Sequence, residues 1–279
     1  MADLEKNSIE LVTEFYSKEE KIHYPTLTKQ GIYWLVFSDT IGEATGSWKL
    51  YGRDWEQREI RLLREQTGQT MNPCLQGCGD RIVWIEGPDA DAVGKEAFHT
   101  VYGLDGMGEP EALFQIRNVT NPYMAVSYND SVLSYVDYYD GAWHVLWYEL
   151  ETKELYAYPI ENLEEWEFPV VAAASDRGVV YSTYFNRLYF YDWKSGKTTQ
   201  IGNTQYGLEA AGSYVAWADP NRMVVTDLKT GKAVSVKESL EEKGKTVSFL
   251  RRTEGKFYTV VENQEIGKLM LGIYSISGE

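Results

Sequence analysis

The sequence is poor in the residues on which most recognisable chemistry depends. Its 279 residues include two cysteines, Cys74 and Cys78, and three histidines, His23, His99 and His144. Two thiols exclude a disulfide framework. Read with residues 73–76 as a strand and 77–80 as its turn, they do not face each other, so neither a bridge nor a metal site is expected from the pair. No apolar run approaches the ~20 residues of a membrane-spanning helix. No signal-peptide pattern follows Met1. A Gly-x-Ser-x-Gly elbow, a His-Glu-x-x-His pair and a phosphate-cradling glycine loop are all missing, and Gly103, Gly106 and Gly108 have neither the spacing nor the following helix of a nucleotide fingerprint. No residue is therefore assigned as catalytic. Basic residues are also scarce: 27 Lys and Arg stand against 42 Asp and Glu, a net charge of −15. That balance argues against nucleic acid or an anionic membrane as a partner, and it also serves solubility.

Aromatic residues are what the sequence has in plenty, 21 Tyr and 9 Trp among them. They fall in short strand-like runs. From Ala211 the chain reads two such runs, Tyr214-Val215-Ala216-Trp217 and Met223-Val224-Val225, parted by Asp219-Pro220-Asn221 and closed by Asp227-Leu228-Lys229-Thr230-Gly231. Runs of this length between turn residues are strands, and Gly231 suits the positive φ of a tight turn. Similar units recur around Ile32, Arg81, Ser131, Val179 and Tyr258. The spacing is roughly 45 residues, the length class of a propeller blade, in which one small sheet cannot bury its faces alone. Blades are expected at about 21–65, 73–117, 122–160, 169–201, 206–237 and 246–279, within a single domain of residues 1–279. The last has three strands. Residues 7–17 alternate as a half-exposed strand and are expected to complete it, closing a six-bladed ring and removing its open edges. Trp84 and Trp217 are expected in the core.

The pattern carried by Tyr214, Trp217, Asp219, Asp227, Gly231 and Lys232, echoed at Tyr191-Asp192 with Ser195-Gly196-Lys197 and at Ile82-Val83-Trp84, resembles the TolB-type, WD40-like β-propeller repeat of bacterial proteins. No amino-terminal TolB domain accompanies it. The resemblance implies an all-β propeller of four-stranded antiparallel blades, with the loops after each second strand and those between blades on one face. It is silent on activity.

Ligands of propellers commonly sit where such loops converge over the axis. The position after the second strand is taken in turn by Asp39, Glu86 or Asp89, Asp137 or Asp140, Asn186, Asp219 and Glu262. A ring of oxygens without Lys or Arg suits a hard cation such as Ca²⁺ or a basic partner. Asp and Asn also favour turns for their own local bonding, so a cofactor does not follow from them. The inter-blade connections add Tyr123, Trp166 and Tyr206, aromatic faces beside amides that suit a sugar ring or an extended peptide. The loops 40–46 and 87–97 are long enough to raise a wall beside them. His99 and His144 fall in third strands, away from the axis, so the histidines are not expected to converge on a metal. The expectation is a non-catalytic, monomeric propeller binding a protein or glycan, extracytoplasmic rather than cytoplasmic. The alternative is a carbohydrate-active hydrolase or lyase, or a cation-dependent lactonase, using two carboxylates of the acidic ring.

Overall fold

The computed structural model describes residues 10–15, 22–37, 47–57, 59–67, 73–87, 98–117, 126–129, 131–161, 163–204, 206–219, 222–236, 245–253, 256–263 and 268–275. Among these the chain forms only strands. After β1 (Glu10–Phe15) come five sheets, each of four strands consecutive in the chain. They are β2 (Ile22–Leu27), β3 (Gly31–Phe37), β4 (Ser47–Asp54) and β5 (Ile60–Thr67); then β6 (Gln76–Cys78), β7 (Arg81–Glu86), β8 (Phe98–Asp105) and β9 (Glu111–Arg117). The third holds β10 (Ser127–Asn129), β11 (Val132–Tyr139), β12 (Ala142–Glu149) and β13 (Glu154–Pro159). The fourth holds β14 (Pro169–Ala174), β15 (Gly178–Thr183), β16 (Arg187–Asp192) and β17 (Lys197–Asn203). The fifth holds β18 (Tyr206–Ala211), β19 (Tyr214–Asp219), β20 (Arg222–Asp227) and β21 (Ala233–Val236). The remaining strands, β22 (Lys245–Thr253), β23 (Lys256–Asn263) and β24 (Lys268–Ser275), form a sheet in the order β1-β24-β23-β22. The architecture is an all-β propeller of four-stranded antiparallel blades.

The burial pattern explains why the blades repeat. The second strands β3, β7 and β15 are buried along nearly their whole length, because sheets cover both of their faces. Fourth strands such as β13 and β17 are largely exposed. Among the described residues, neighbouring blades from the first to the fifth share separate cores, one per pair. Tyr33, Leu35 and Leu50 pack with Ile82, Trp84 and Leu104. Ile85 and Val101 pack with Leu133 and Tyr135. Val136 and Val145 meet Ala172 and Tyr181, and Val180 and Leu188 meet Val215 and Trp217. Among the described residues these cores lie between sheets, so each of the five sheets depends on a neighbour for burial. Trp84 and Trp217 are buried, as their place in the runs predicted.

The recurring turn residues do local work on the face opposite the predicted site. Asp227 accepts hydrogen bonds from the Lys229 N–H at 2.8 Å and the Thr230 hydroxyl at 2.9 Å, while Gly231 turns the chain back with φ +70°. Asp192 repeats this, accepting from the Lys194 and Ser195 N–H groups at 2.9 and 2.8 Å ahead of Gly196 with φ +65°. Close approach explains another repeated glycine. A Cβ on Gly178 would stand 1.9 Å from the Tyr191 carbonyl oxygen, and one on Gly31 2.4 Å from that of Arg53.

The strand expected at 73–76 is displaced: β6 runs Gln76–Cys78 with its turn at 79–80, because the backbone of Cys74 is left-handed at φ +48° and leaves the extended ladder. β10 is short, Ser127–Asn129. At the chain's start β1 pairs antiparallel with β24, from Glu10 opposite Ile273 to Phe15 opposite Leu269, with one irregularity between Leu11 and Thr13. The innermost strands β2, β6, β10, β14, β18 and β22 each touch the next, and β22 touches β2.

Candidate functional site

Among the described residues, a loop after a second strand and one between blades come together where the third blade meets the fourth. The connection after β13 carries Trp166, and the turn after β15 carries Tyr184, Phe185 and Asn186. Their aromatic rings form a row. Tyr138 meets Trp143 edge-on at 5.3 Å between ring centres, Trp143 stacks on Phe168 at 5.9 Å, and Phe168 stacks on Tyr184 at 4.9 Å. Tyr184 then leans on Phe185 at 5.9 Å. Three of these rings face water: Tyr184 is 60% exposed, and Tyr138 and Phe185 are also open, while Trp143 and Phe168 are half-buried. Trp166 is 81% exposed at φ +69°. A bulky residue in the left-handed region is an outlier that only its surroundings can hold in place.

What holds it is the next residue. Glu167 is buried, and its carboxylate accepts from the Thr183 hydroxyl at 2.6 Å, from Arg187 at 3.3 Å and from the Glu164 N–H at 3.3 Å. Arg187 also donates to Glu164 at 2.7 Å, and that hydrogen bond holds the Glu164 carboxyl below the usual carboxylate range. The tight loop closes through the Glu167 N–H donating to the Glu164 carbonyl at 3.0 Å. The turn beside it is equally pinned, by the Tyr184 N–H to the Phe168 carbonyl and the Asn186 N–H to that of Thr183, each at 2.9 Å. On the far side of Tyr184 a pocket of about 270 Å³ opens between the fourth and fifth blades. Val171, Thr183, Tyr184, Asn186, Thr204 and Leu208 are among its lining residues.

The residues singled out from the sequence meet different fates. Trp166 and Asn186 lie on this face, Asn186 with φ +62° and its carbonyl accepting the Thr204 N–H at 2.7 Å. Asp137 is buried within β11, not in the loop beyond it, and accepts the N–H of Tyr138 at 2.8 Å. Asp140 occupies the following turn with φ +51°. Glu86 ends β7 and is spoken for: Arg64 grips it with two hydrogen bonds at 2.9 and 2.8 Å, and Trp84 and Gln66 donate at 2.9 and 3.2 Å. It joins two blades and offers no open oxygen ring. Asp219 is the last residue of β19, opposite Arg222, Glu262 lies inside β23, opposite Leu269, and Tyr206 is the first residue of β18 rather than part of a loop. Asp39, Asp89 and Tyr123, and most of the loops 40–46 and 87–97, lie outside the described residues. His99 and His144 stand in the third strands β8 and β12, where the sequence put them. Among the described residues no group of three or more His, Cys, Asp or Glu side chains is placed to share a metal. Glu167, Arg187, Tyr184 and Phe185 were not anticipated. The one sequence signal for them is an aromatic pair in a two-strand turn.

No protein-family model matches the sequence, and no curated protein does. Solved structures share its shape. TolB from Acinetobacter baumannii aligns with 83% of this chain over 61% of its own, so the chain spans less than two thirds of it, at 12% identity and a TM-score of 0.47. The β-propeller domain of the Trilobed protease from Pyrococcus furiosus, described as having an open velcro topology, aligns over 79% of its length with 87% of this chain, at 12% identity and a TM-score of 0.51. A chain of a nidogen/laminin complex aligns over 80% of its length with 78% of this one, at 12% identity and a TM-score of 0.50. At such identity the likeness is one of architecture alone: this chain folds as a β-propeller.

Proposed function

We propose that this protein is a non-catalytic binding propeller that takes up a protein or glycan ligand on the face bearing Trp166 and the row from Tyr138 to Phe185. The observation carrying this reading is Trp166 itself, a large ring in a strained backbone conformation, held out to water by the bonds of Glu167. Strain of this kind costs about 1–3 kcal/mol and persists where it has a use. Exposed rings in register give flat apolar area at low entropic cost. The binding reading is preferred to a hydrolase or lactonase because the buried carboxylates beside the loops, Glu86 and Glu167, are already engaged by arginines.

The proposal includes the scaffold: residues 1–279 as one monomeric domain of six blades in a closed ring. It is supported by the β1–β24 ladder and by the succession of contacts among the innermost strands. An extracytoplasmic setting suits a face made for a protein or glycan. Glycan and peptide arrays probed with the wild-type protein and with Trp166→Ala and Tyr184→Ala test the function. Signals that both substitutions abolish are expected. Silent arrays, or signals that neither substitution alters, would refute it.

A further inference from the structure

Charge narrows the choice of ligand on this face. Asp140, Glu161, Glu164 and Glu165 are exposed around the aromatic row, and the buried Asp137 and Glu167 add to the same field. Among the described residues the cation that faces them is Arg187, and it is already shared between Glu164 and Glu167. A neutral sugar gains nothing from that surplus, and an anionic polysaccharide is repelled by it. A cationic group gains twice, from the carboxylates and from the ring faces.

Resting on the reading of this face as a binding surface, we propose that its ligand is an extended, arginine-bearing segment of another protein, with guanidinium groups lying over the exposed rings. The rings open to it are Trp166, Tyr138, Tyr184 and Phe185; the half-buried Trp143 and Phe168 stack between Tyr138 and Tyr184 and brace them. The molecule already uses this contact internally: Arg187 lies 5.9 Å from the centre of the Phe185 ring, and Arg64 lies 5.3 Å from that of Tyr102. Arginine fits better than lysine because its planar group stacks while still donating to the carboxylates at the rim.

The test uses the intact chain and three probes: an octapeptide alternating arginine and serine, the same peptide with citrulline for arginine, and a neutral oligosaccharide. Citrulline keeps the planar shape and loses the charge. Calorimetry is expected to give arginine-peptide binding at least about tenfold tighter than citrulline, weakening as salt rises from about 50 to 200 mM. Trp166→Ala should lower affinity about tenfold. The pair Glu161→Gln with Glu165→Gln should lower it several-fold and flatten the salt dependence, with the melting temperature unchanged as evidence of folding. Equal affinity for both peptides, or Trp166-dependent binding of the oligosaccharide without salt dependence, overturns the arginine assignment and leaves the binding face standing. Absence of any binding sensitive to Trp166→Ala overturns both.

Discussion

Replacing Glu86 by Gln asks whether an acid at a predicted loop position is a ligand or a clamp. Glu86 is 7% exposed and receives four hydrogen bonds, two of them from the Arg64 guanidinium. Arg64 gains from the pair as well: the hydrogen bond to Glu86 raises its pKa against the opposing effect of burial. Glutamine keeps the shape and one acceptor but removes the charge. A charge-assisted hydrogen bond contributes about 1.5–3 kcal/mol, and two share this site. Bringing the acid and its partner out of water offsets much of that gain. Arg64 is about a third exposed, 32% at its side chain, so water recovers a further part. The net expectation is a loss of about 2 kcal/mol, or about 4–8 °C in melting temperature at this chain length. Calorimetric melts of Glu86→Gln, Arg64→Met and the double variant give the coupling directly, expected at about 1–3 kcal/mol. A melt unchanged within about 1 °C, or a coupling near zero, would refute the clamp and return Glu86 to the list of open carboxylates.

Acid should loosen the blades through their turns. The hydrogen bond from Arg81 lowers the pKa of Asp105, and the Ser195 N–H, then Arg177, lower that of Asp192. Their folded values lie below their unfolded ones, so their stabilisation is full above about pH 4 and is lost as pH falls through the folded values. Urea midpoints should therefore drop at acid pH, less steeply in Arg81→Ala. Gly178→Ala puts a methyl into the Tyr191 carbonyl and should cost about 1–3 kcal/mol by urea unfolding; a neutral result would contradict the close approach. Removing residues 1–17 takes β1 from β24 and bares an edge, so a lower melting temperature or aggregation by light scattering is expected. An unchanged melt and a monodisperse sample would show that the pairing contributes nothing.

The architecture was legible because its signals are local. Alternating aromatic and β-branched runs, and the Asp-x-x-Thr-Gly turn at Asp227, announce strands and reversals within a few residues. Residues 10–15 could be read as a strand awaiting a sheet for the same reason. The site was less legible because its determinants are tertiary. Glu86 and Glu167 look in sequence like two more surface acids, and only folding brings Arg64 and Arg187 against them. Trp166 was visible as an aromatic in a connection. That Phe168, two residues on, stacks on Tyr184 is a tertiary contact that no spacing encodes.

The β1–β24 ladder also sets how the molecule responds to mechanical load. Glu10, near one end of the domain, lies opposite Ile273, near the other. A force applied through the two ends therefore meets the ladder's hydrogen bonds one after another, as in a zip, and not all together in shear. The domain should yield at low force, shedding β1 before any other strand, and a single-molecule trace should begin with that short release.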